Sequence, residues 1–261
     1  MDGFTGRLEV AIGSPDAAVV RREAEVFGER YGDTAESLEQ AYGTYADQTM
    51  WLSVVDDALD ERGEHSVLGW ARLIVPGPLQ TKTLVDITED PWRLDADEVA
   101  AAVGLDPHSC LDIATFGVRP DLGGEGARVT AALYHGMVMT TRVNGIAWSV
   151  AVLHVLVRRV MGSVGLVMHP LPGARPAVYM DAPGFVPVYA NMDRVLADQK
   201  RANPEAHRRV VAGDIPGIRV PAVEAFLLPL RRAVDLRDEV AVLDLDDHLK
   251  PDPDLPSTRS A

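Results

Sequence analysis

Residues 110–129 read Cys110-Leu-Asp-Ile-Ala-Thr-Phe-Gly-Val-Arg-Pro-Asp-Leu-Gly-Gly-Glu-Gly-Ala-Arg-Val129, and this stretch decides the fold. Its first nine residues are mostly apolar and favour β-structure, which predicts a strand over 110–118. Pro120 ends that strand because proline has no N–H to give to a sheet ladder. A glycine-rich turn follows, and apolar residues at helical spacing then predict a helix over 127–143.

The glycine turn, with Gly123, Gly124 and Gly126, leads directly into the N-terminus of the predicted helix. Backbone N–H groups at a helix N-terminus have no intrahelical partner and lie at the positive end of the helix dipole, so they favour an anion such as phosphate. We therefore expect the N–H groups of residues 124–128 to converge on one point. The alternative is a plain strand–turn–helix whose glycines serve only close packing.

Composition and charge limit the classes of protein to consider. The chain has 261 residues, 47% of them hydrophobic and 25% charged, which suits one large domain or one domain with a sizeable extension. A formal net charge of −14 disfavours nucleic acid and anionic membrane surfaces as partners, because both need a basic face. The single cysteine, Cys110, cannot form an intrachain disulfide and is expected to be a small buried hydrophobic residue.

Targeting and metal-binding patterns are not found in the sequence. The N-terminus lacks the apolar core of a signal peptide, and no uncharged apolar run reaches about 18 residues, so we expect a cytoplasmic protein without a membrane span. No cysteine and histidine spacing of the zinc type occurs, so no metal is expected.

The whole chain predicts an α/β (α+β) fold with a mixed, mostly antiparallel sheet flanked by helices. Strands are predicted at 7–12, 50–55, 67–75, 110–118, 146–152, 166–170, 177–191 and, in short form, 239–245. Helices are predicted from Ser14-Pro15-Asp16 to about Arg30, and at 95–103, 127–143, 153–164, 193–212 and 221–234. The proline-rich residues 251–261 are predicted to be a disordered tail.

The central stretch resembles the motif of the GNAT superfamily of N-acyltransferases. In that superfamily a strand ending in Val-x-Pro leads into a glycine-rich loop that holds the pyrophosphate of acyl-CoA. Val118-Arg119-Pro120 matches the strand end and Gly126 the central glycine, whereas Arg128 stands where the family has Gly or Ala. The resemblance implies a GNAT-like domain over 1–195 with a helical C-terminal extension, 196–250, packed on it. It also implies a set of donor-binding residues, namely Phe116, Val118, Gly123, Gly124, Gly126, Ala127 and Arg128.

A closer resemblance is to the autoinducer (acyl-homoserine-lactone) synthases and the related N-acyl amino acid synthases. Asp112-Ile-Ala-Thr-Phe116 takes the place of their central Glu-x-Ser-Arg-Phe, and Gly69-Trp-Ala-Arg72-Leu73 matches their Gly-x-x-Arg-Leu. The paired acids that hold S-adenosylmethionine in the autoinducer synthases have no counterpart around Tyr42-Gly-Thr-Tyr45, so that acceptor is not supported. The resemblance implies acyl-CoA, or the phosphopantetheine of acyl carrier protein, as donor.

Asp112 and Arg72 are the candidate catalytic residues. A carboxylate beside the acyl site can take the proton of an attacking amine, and an arginine can hold an acceptor carboxylate through its bidentate fork. The alternatives are an aspartate bonded to a nearby backbone N–H and a salt bridge of Arg72, for which Asp112 is one candidate partner. Trp70, Thr115 and Trp148 are the candidate substrate-pocket residues, and core packing is the alternative for the two tryptophans.

Simple strand alternation predicts the directions of the side chains in the central strand. It places Asp112, Ala114, Phe116 and Val118 on one face and Thr115 on the other.

Two functions agree with these patterns. The first is an N-acyltransferase that passes an acyl group to a small amine or amino acid, with the thioester entering a V-shaped opening between strands 110–118 and 146–152. The second is a non-catalytic module that binds an acyl thioester or another ligand on the same fold. Met161 favours the second, because many GNAT acetyltransferases have a tyrosine as general acid at that position. Docking of an acidic carrier protein would need a basic patch, for which Arg158-Arg159, Lys200-Arg201 and Arg208-Arg209 are candidates.

Overall fold

The structure, a computed structural model, describes residues 5–61, 63–163 and 165–229. Nine strands lie within these residues: β1 (Gly6–Ile12), β2 (Thr49–Leu59), β3 (His65–Ile74), β4 (Cys110–Val118), β5 (Trp148–His154), β6 (His169–Pro170), β7 (Ala177–Tyr179), β8 (Ala182–Asn191) and β9 (Ile218–Arg219). The same residues contain eight α-helices: α1 (Ala17–Tyr31), α2 (Ala35–Tyr42), α3 (Lys82–Asp86), α4 (Ala96–Val103), α5 (Glu125–Val143), α6 (Val155–Ser163), α7 (Met192–Ala202) and α8 (Pro204–Ala212).

The strands form a single sheet with β4 near its centre. Eight of them follow the order β6-β8-β5-β4-β3-β2-β1-β9, and β7 adds to β8 beside this path. Most neighbours are antiparallel, whereas β4 with β5 and β1 with β9 are parallel. The predicted mixed, mostly antiparallel sheet with 110–118 in a central position is therefore confirmed.

Helices cover both faces of the sheet. On one face, Trp70 and Ile74 pack against residues of α1 and α2, and the buried Cys110 packs with residues of α3 and α4. On the other face, Leu73 and Ile113 belong to the main core together with residues of α5, α7 and α8. Cys110 is thus the small buried residue that the sequence predicts.

The predicted ends of the first helix and of the central elements agree closely with the structure. The N-cap of α1 is Asp16, whose carboxylate accepts the N–H of Ala18, and not Ser14, the cap residue that the Ser-Pro-Asp pattern predicts. The predicted strand 110–118 has the bounds of β4, and α5 begins two residues before the predicted start at 127.

Two predictions of helices were wrong in detail. The single helix predicted over 193–212 is divided into α7 and α8, because Pro204 cannot continue a helix and instead begins the next one, which Asn203 caps. The segment between β3 and β4, where the sequence predicts only the helix at 95–103, also contains the five-residue helix α3, which has too few residues to show a helical period.

A β-bulge interrupts β4 opposite β3. In the register of these strands, Arg72 lies opposite Thr115 and Leu73 lies opposite Ile113, so Ala114 is the extra residue. The predicted alternation was therefore wrong, because an extra residue exchanges the faces of all side chains that follow it.

The bulge brings Asp112 and Thr115 onto the same face of the sheet, towards α1 and α3. Phe116 and Val118 face the opposite side and pack against the main core. The central strand therefore presents its candidate residues to two different sides of the sheet.

The region after 195 is continuous with the sheet core as far as it is described. Helix α8 packs on α5, β9 pairs with β1, and the side-chain amide of Asn144 donates to the carbonyl of Phe226 at 2.9 Å. The described part of the predicted helix 221–234 includes the 3₁₀ turn Val223–Phe226. The remainder of that helix, the predicted strand 239–245 and the predicted tail 251–261 lie outside the described residues. None of the described helices combines the length and apolarity of a membrane span.

Candidate functional site

Strands β4 and β5 separate from one another at the centre of the sheet. Their parallel ladder joins Cys110 to Trp148, Leu111 to Ser149 and Asp112 to Val150, and it ends there although both strands continue. From residue 113 onward, the described backbone of β5 makes no pair with β4. A V-shaped gap therefore opens between the C-terminal halves of the two strands.

One cavity, here called the aromatic cavity, opens at this gap beside α1, α2 and the β7–β8 hairpin. Its wall includes six aromatic side chains: Phe27, Tyr31, Tyr42, Phe116, Tyr179 and Phe185. Asp33 and His154 line it as well, and the described lining residues include no lysine or arginine. The cavity is thus aromatic with a single carboxylate in its lining.

A second cavity, here called the helix-side cavity, lies between β4, α5 and α6. Val118, Thr130, Leu156 and Met161 line it, and Arg30 contributes a positive charge. The two cavities share four lining residues, Phe27, Tyr31, Phe116 and Val157. They therefore meet at the gap, with Phe116 of β4 at the junction.

A third space, here called the apolar pocket, extends from the helix-side cavity into the core. The two share Tyr134, Met137, Met161 and Leu166, and the pocket continues among side chains of β8 and α7. Two hydroxyl groups interrupt its apolar lining, those of Tyr134 and Ser149. Neither hydroxyl has a hydrogen-bond partner within the described residues. Its apolar lining suits an alkyl chain, but the space itself measures only about 10 Å³, so side chains must move before a chain can enter.

The neutral imidazole of His154 is restricted to one tautomer by its backbone contact. Its Nδ1 accepts the N–H of Leu156 at 3.2 Å, so in the neutral ring the proton lies on Nε2. The ring also packs edge-to-face on Phe185, with 5.4 Å between centroids. His154 can thus donate a hydrogen bond from Nε2 while it forms part of the aromatic wall.

Asp112 is buried beneath the cleft, with 1% of its surface exposed. Its carboxylate accepts the Thr83 N–H at 2.6 Å and the Thr83 hydroxyl at 2.9 Å. Burial raises the pKa of Asp112 to about 7, although the two hydrogen bonds from Thr83 oppose that rise.

Asp112 supports the first turn of α3, whose own N-cap residue, Thr81, makes no capping hydrogen bond. Asp112 lines neither the aromatic cavity nor the helix-side cavity. This geometry matches the alternative of an aspartate bonded to a nearby backbone N–H.

Arg72 is paired with Glu23 of α1, a residue that the sequence analysis missed. Glu23 is fully buried and Arg72 is 6% exposed, and the Thr115 hydroxyl donates to the same carboxylate. The guanidinium of Arg72 also lies over two rings, with 4.6 Å to the centroid of Tyr42 and 4.4 Å to that of Trp51. These contacts engage the Nη2 end of the fork that was predicted to bind an acceptor carboxylate, whereas the Nε of Arg72 has no hydrogen-bond partner within the described residues.

Arg72 thus forms a salt bridge, which was the alternative to acceptor binding, but its partner is Glu23 and not Asp112. In the β3–β4 register Asp112 lies opposite Ile74, two positions further along β3. The position of Glu23 gave a clue to its role, since Val19, Glu23 and Val26 are spaced to share one helix face, and all three are buried.

The glycine turn forms the entry to α5. Gly123 has φ +51 and ψ −125, a conformation that other residues rarely adopt, and Gly124 occupies the N-cap position without a side-chain cap. A Cβ at Gly126 would lie 3.7 Å or more from its nearest neighbours. Arg128 is paired with Glu125 at 3.1 Å, and the next residue back, Ala127, lies in the same first turn. The convergence of the N–H groups of 124–128 on an anion stays a prediction.

The remaining candidates divide between the cavities and the core. Thr115 lines the aromatic cavity, and Val118 lines the helix-side cavity. Trp70 is fully buried against α1, and a Cβ at Gly117 would lie 2.2 Å from its ring. Trp148 packs against Tyr189 at 6.1 Å between centroids. The two tryptophans line neither of these cavities.

A compact polar cluster lies next to the rings of Tyr42 and Tyr179. Lys82 is paired with Asp86 at 2.6 Å, and the Tyr179 hydroxyl donates to the same carboxylate. Lys82 Nζ lies 5.4 Å from the Tyr42 ring centroid. The described residues contain no group of three or more His, Cys, Asp or Glu side chains placed to hold a metal ion.

Solved structures of other proteins resemble this architecture. No family model and no curated protein matches the sequence. Among solved structures, the N-acyl amino acid synthase FeeM from uncultured soil microbes matches with a TM-score of 0.54 at 14% identity, over 77% of this chain and 98% of that chain. The CoA-dependent acyl-homoserine lactone synthase BjaI, solved with SAM and isopentyl-CoA, matches with a TM-score of 0.47 at 16% identity, over 86% and 97% of the two chains. The AHL synthase LasI matches with a TM-score of 0.49 at 14% identity, over 84% and 100%.

The likeness to FeeM concerns the fold. The predicted GNAT-like α/β fold is confirmed. The resemblance to synthases of this kind is likewise confirmed at the level of architecture.

Proposed function

We propose that this protein is an N-acyltransferase that moves an acyl group from a thioester, of CoA or of the phosphopantetheine of acyl carrier protein, to a small amine. One observation carries the proposal: the aromatic cavity and the helix-side cavity meet at Phe116 where β4 and β5 separate. Two substrates that enter from opposite sides would meet there, and holding both in place makes the reaction effectively unimolecular.

The donor fits the helix-side cavity. The uncapped N-terminus of α5 suits the donor's phosphates, and Arg30 adds a positive charge at the cavity. The edge of β4 from Ile113 to Val118, which β5 leaves unpaired, can bind the amide groups of a pantetheine arm as an added strand would. The acyl chain would extend into the apolar pocket.

The reaction would take place at the junction of the cavities. The amine nitrogen attacks the thioester carbonyl, so a C–N bond forms, the C–S bond breaks and the amine loses one proton. Backbone N–H groups at the open edge of β4 would stabilise the negative charge that develops on the carbonyl oxygen. The amine proton passes to water in the open aromatic cavity, and the leaving thiolate takes up a proton from water. The Nε2–H of His154 can donate a hydrogen bond to that sulfur.

The motif resemblance implies a general-base role for Asp112, which competes with the structural role that its contacts with Thr83 support. The activity of Asp112→Asn distinguishes the two roles.

A second candidate function is a non-catalytic module that binds an acyl thioester. Met161, which lines the helix-side cavity where a proton-donating tyrosine would favour catalysis, supports this candidate. Both candidates predict that the protein retains a thioester, whereas only the first predicts turnover.

The test is incubation of the protein with acyl-CoA or acyl carrier protein and a panel of amines, with mass spectrometry of the products. We expect a new amide and free thiol in equal amounts. A bulky side chain in the helix-side cavity, as in Leu156→Trp, should take space from the donor. We expect the rate to fall at least about tenfold, which corresponds to a loss of about 1.4 kcal/mol in donor binding. Leu59→Trp is the matched control, since Leu156 is 57% and Leu59 is 59% exposed, and Leu59 lies at the end of β2. Retention of the thioester without any amide would favour the binding module.

A further inference from the structure

We propose that the aromatic cavity binds its acceptor as an organic cation, and that the acceptor is a small diamine without a carboxylate group. The identification of the ligand as an acyl acceptor rests on the proposed function. The cation-binding part rests on the cavity alone.

The rings of the aromatic cavity form one connected wall. Tyr31 lies 5.5 Å from Phe27 and 5.5 Å from Phe185 between centroids, and Phe185 lies 5.4 Å from His154 and 6.0 Å from Tyr179. All five line the cavity, and each is only partly buried. Partly exposed aromatic rings gathered around an open cavity mark a binding site rather than a core.

The charge of this cavity is negative on balance. Asp33 is its one lining carboxylate, and burial, together with the nearby charge of Asp181, raises the pKa of Asp33. A bound cation would relieve that repulsion between the two carboxylates. Because rings present the negative face of their quadrupole, an aromatic wall beside a carboxylate attracts an ammonium group.

Positive charges around the aromatic cavity are already paired. Lys82 is bound to Asp86, and Arg72 is bound to Glu23. Arg30 lines the helix-side cavity and not the aromatic cavity, so its charge belongs on the donor side. A carboxylate on the acceptor would therefore find no free cation among the described lining residues, which argues against an amino acid.

The held nitrogen and the reacting nitrogen need to be different. A carboxylate and aromatic rings stabilise the ammonium form, and an ammonium group has no lone pair with which to attack a thioester. A substrate with one nitrogen would be held in its unreactive form. A diamine resolves this, because one ammonium is held at Asp33 while the other nitrogen, uncharged, reaches the junction at Phe116.

Binding without any donor tests the cation site directly. Choline and its neutral isostere 3,3-dimethyl-1-butanol have nearly the same shape, and neither is an amine that the proposed reaction would acylate. Calorimetry with the full chain should show choline binding at least about tenfold more tightly than the neutral isostere. Equal affinities for the two probes would overturn the proposal without the use of any variant.

Variants then assign the binding to named residues. Asp33→Asn and Tyr31→Leu should each weaken choline binding about tenfold. Glu61→Gln, an exposed carboxylate in the β2–β3 turn, should leave it unchanged. Unchanged choline affinity in Asp33→Asn would remove Asp33 from the site and overturn the proposal.

Turnover separates this proposal from the proposed function. With 1,4-diaminobutane, Asp33→Asn should raise KM about tenfold and leave kcat within about twofold, since it removes binding that the ground and transition states share. Acyl transfer to amino acids and not to diamines would overturn the diamine proposal and uphold the acyltransferase. Selective choline binding with no transfer from any thioester would uphold the cation site and reject the acyltransferase. The proposal of a diamine acceptor would then be rejected as well.

Discussion

Glu23 and Arg72 form an ion pair inside the protein, with the carboxylate fully enclosed and the guanidinium 6% exposed. The pair joins α1 to β3, and the Thr115 hydroxyl, which donates to Glu23, adds β4 just after its bulge. Thr115 in turn lines the aromatic cavity. The ion pair thereby fixes the part of β4 that forms the wall of the candidate site.

Breaking this pair should destabilise the fold. Glu23→Gln leaves the charge of Arg72 buried without a counter-charge, and we expect a loss of about 3–5 kcal/mol in the free energy of unfolding by urea denaturation. Glu25→Gln on the exposed face of the same helix is the matched control and should change it by less than about 0.5 kcal/mol. The double variant Glu23→Leu, Arg72→Met should recover most of the lost stability, because it leaves no unpaired charge in the core. If it does not recover, the unpaired charge of Arg72 is not the cause of the loss.

The pKa of Asp112 predicts a specific dependence of stability on pH. Burial raises that pKa to about 7, above the value of about 3.9 in an unfolded chain. The native state therefore holds a proton that the unfolded state releases between these values. The stability that this group contributes is complete below about pH 4 and is lost as the pH rises to 7.

Asp112→Asn removes this titration, so its free energy of unfolding relative to wild type should rise between pH 4 and pH 8. Urea denaturation at each pH measures this difference, whose slope cannot exceed about 1.4 kcal/mol per pH unit for one proton. A difference that stays constant with pH would show that the Asp112 pKa is ordinary.

The same variant tests the catalytic role of Asp112. A positioned general base contributes about 10²–10⁴-fold to the rate, so its removal would lower turnover by that factor. Because both oxygens of Asp112 bind Thr83 outside the two cavities, we expect the folded fraction of Asp112→Asn to keep its rate within about threefold. A drop of a hundredfold with unchanged melting temperature would assign the base to Asp112.

The glycines at the start of α5 should respond differently to alanine. Gly123→Ala should cost about 1–3 kcal/mol, because its φ of +51 strains any other residue. Gly126→Ala meets nothing closer than 3.7 Å and lies in the helix, so it should stabilise the protein by up to about 1 kcal/mol. If phosphate binds there, Gly126→Ala should nevertheless weaken donor binding, and unchanged donor affinity would contradict the anion site.

If the protein transfers acyl groups as proposed, the apolar pocket should set the longest acyl chain of the donors that it uses. Ala190 lines this pocket and is 2% exposed, so Ala190→Leu should fill part of it. We expect loss of activity with the longest donors and little change with acetyl or butyryl donors, at a cost in stability of about 1–3 kcal/mol. A uniform loss across all chain lengths would place the acyl chain elsewhere.

Local patterns in the sequence determined the central elements of the fold. The apolar run 110–118, the proline that follows it and the three glycines each act through neighbouring backbone geometry. Their consequences were therefore readable without knowledge of the rest of the chain. Local patterns of this kind also supplied the order of strands and helices, from which the GNAT-like fold could be predicted.

Only the tertiary structure decided the partners of the buried charges. Glu23 and Arg72 are 49 positions apart, and Asp112 meets Thr83 across 29 positions. The bulge at Ala114 depends on how β4 aligns with β3, and the gap that forms the cavities depends on where β5 leaves β4. The apolar periodicity around a residue predicts which face of its helix or strand is buried. It does not predict which distant group contacts the residue there, because packing among elements far apart in the chain sets that contact.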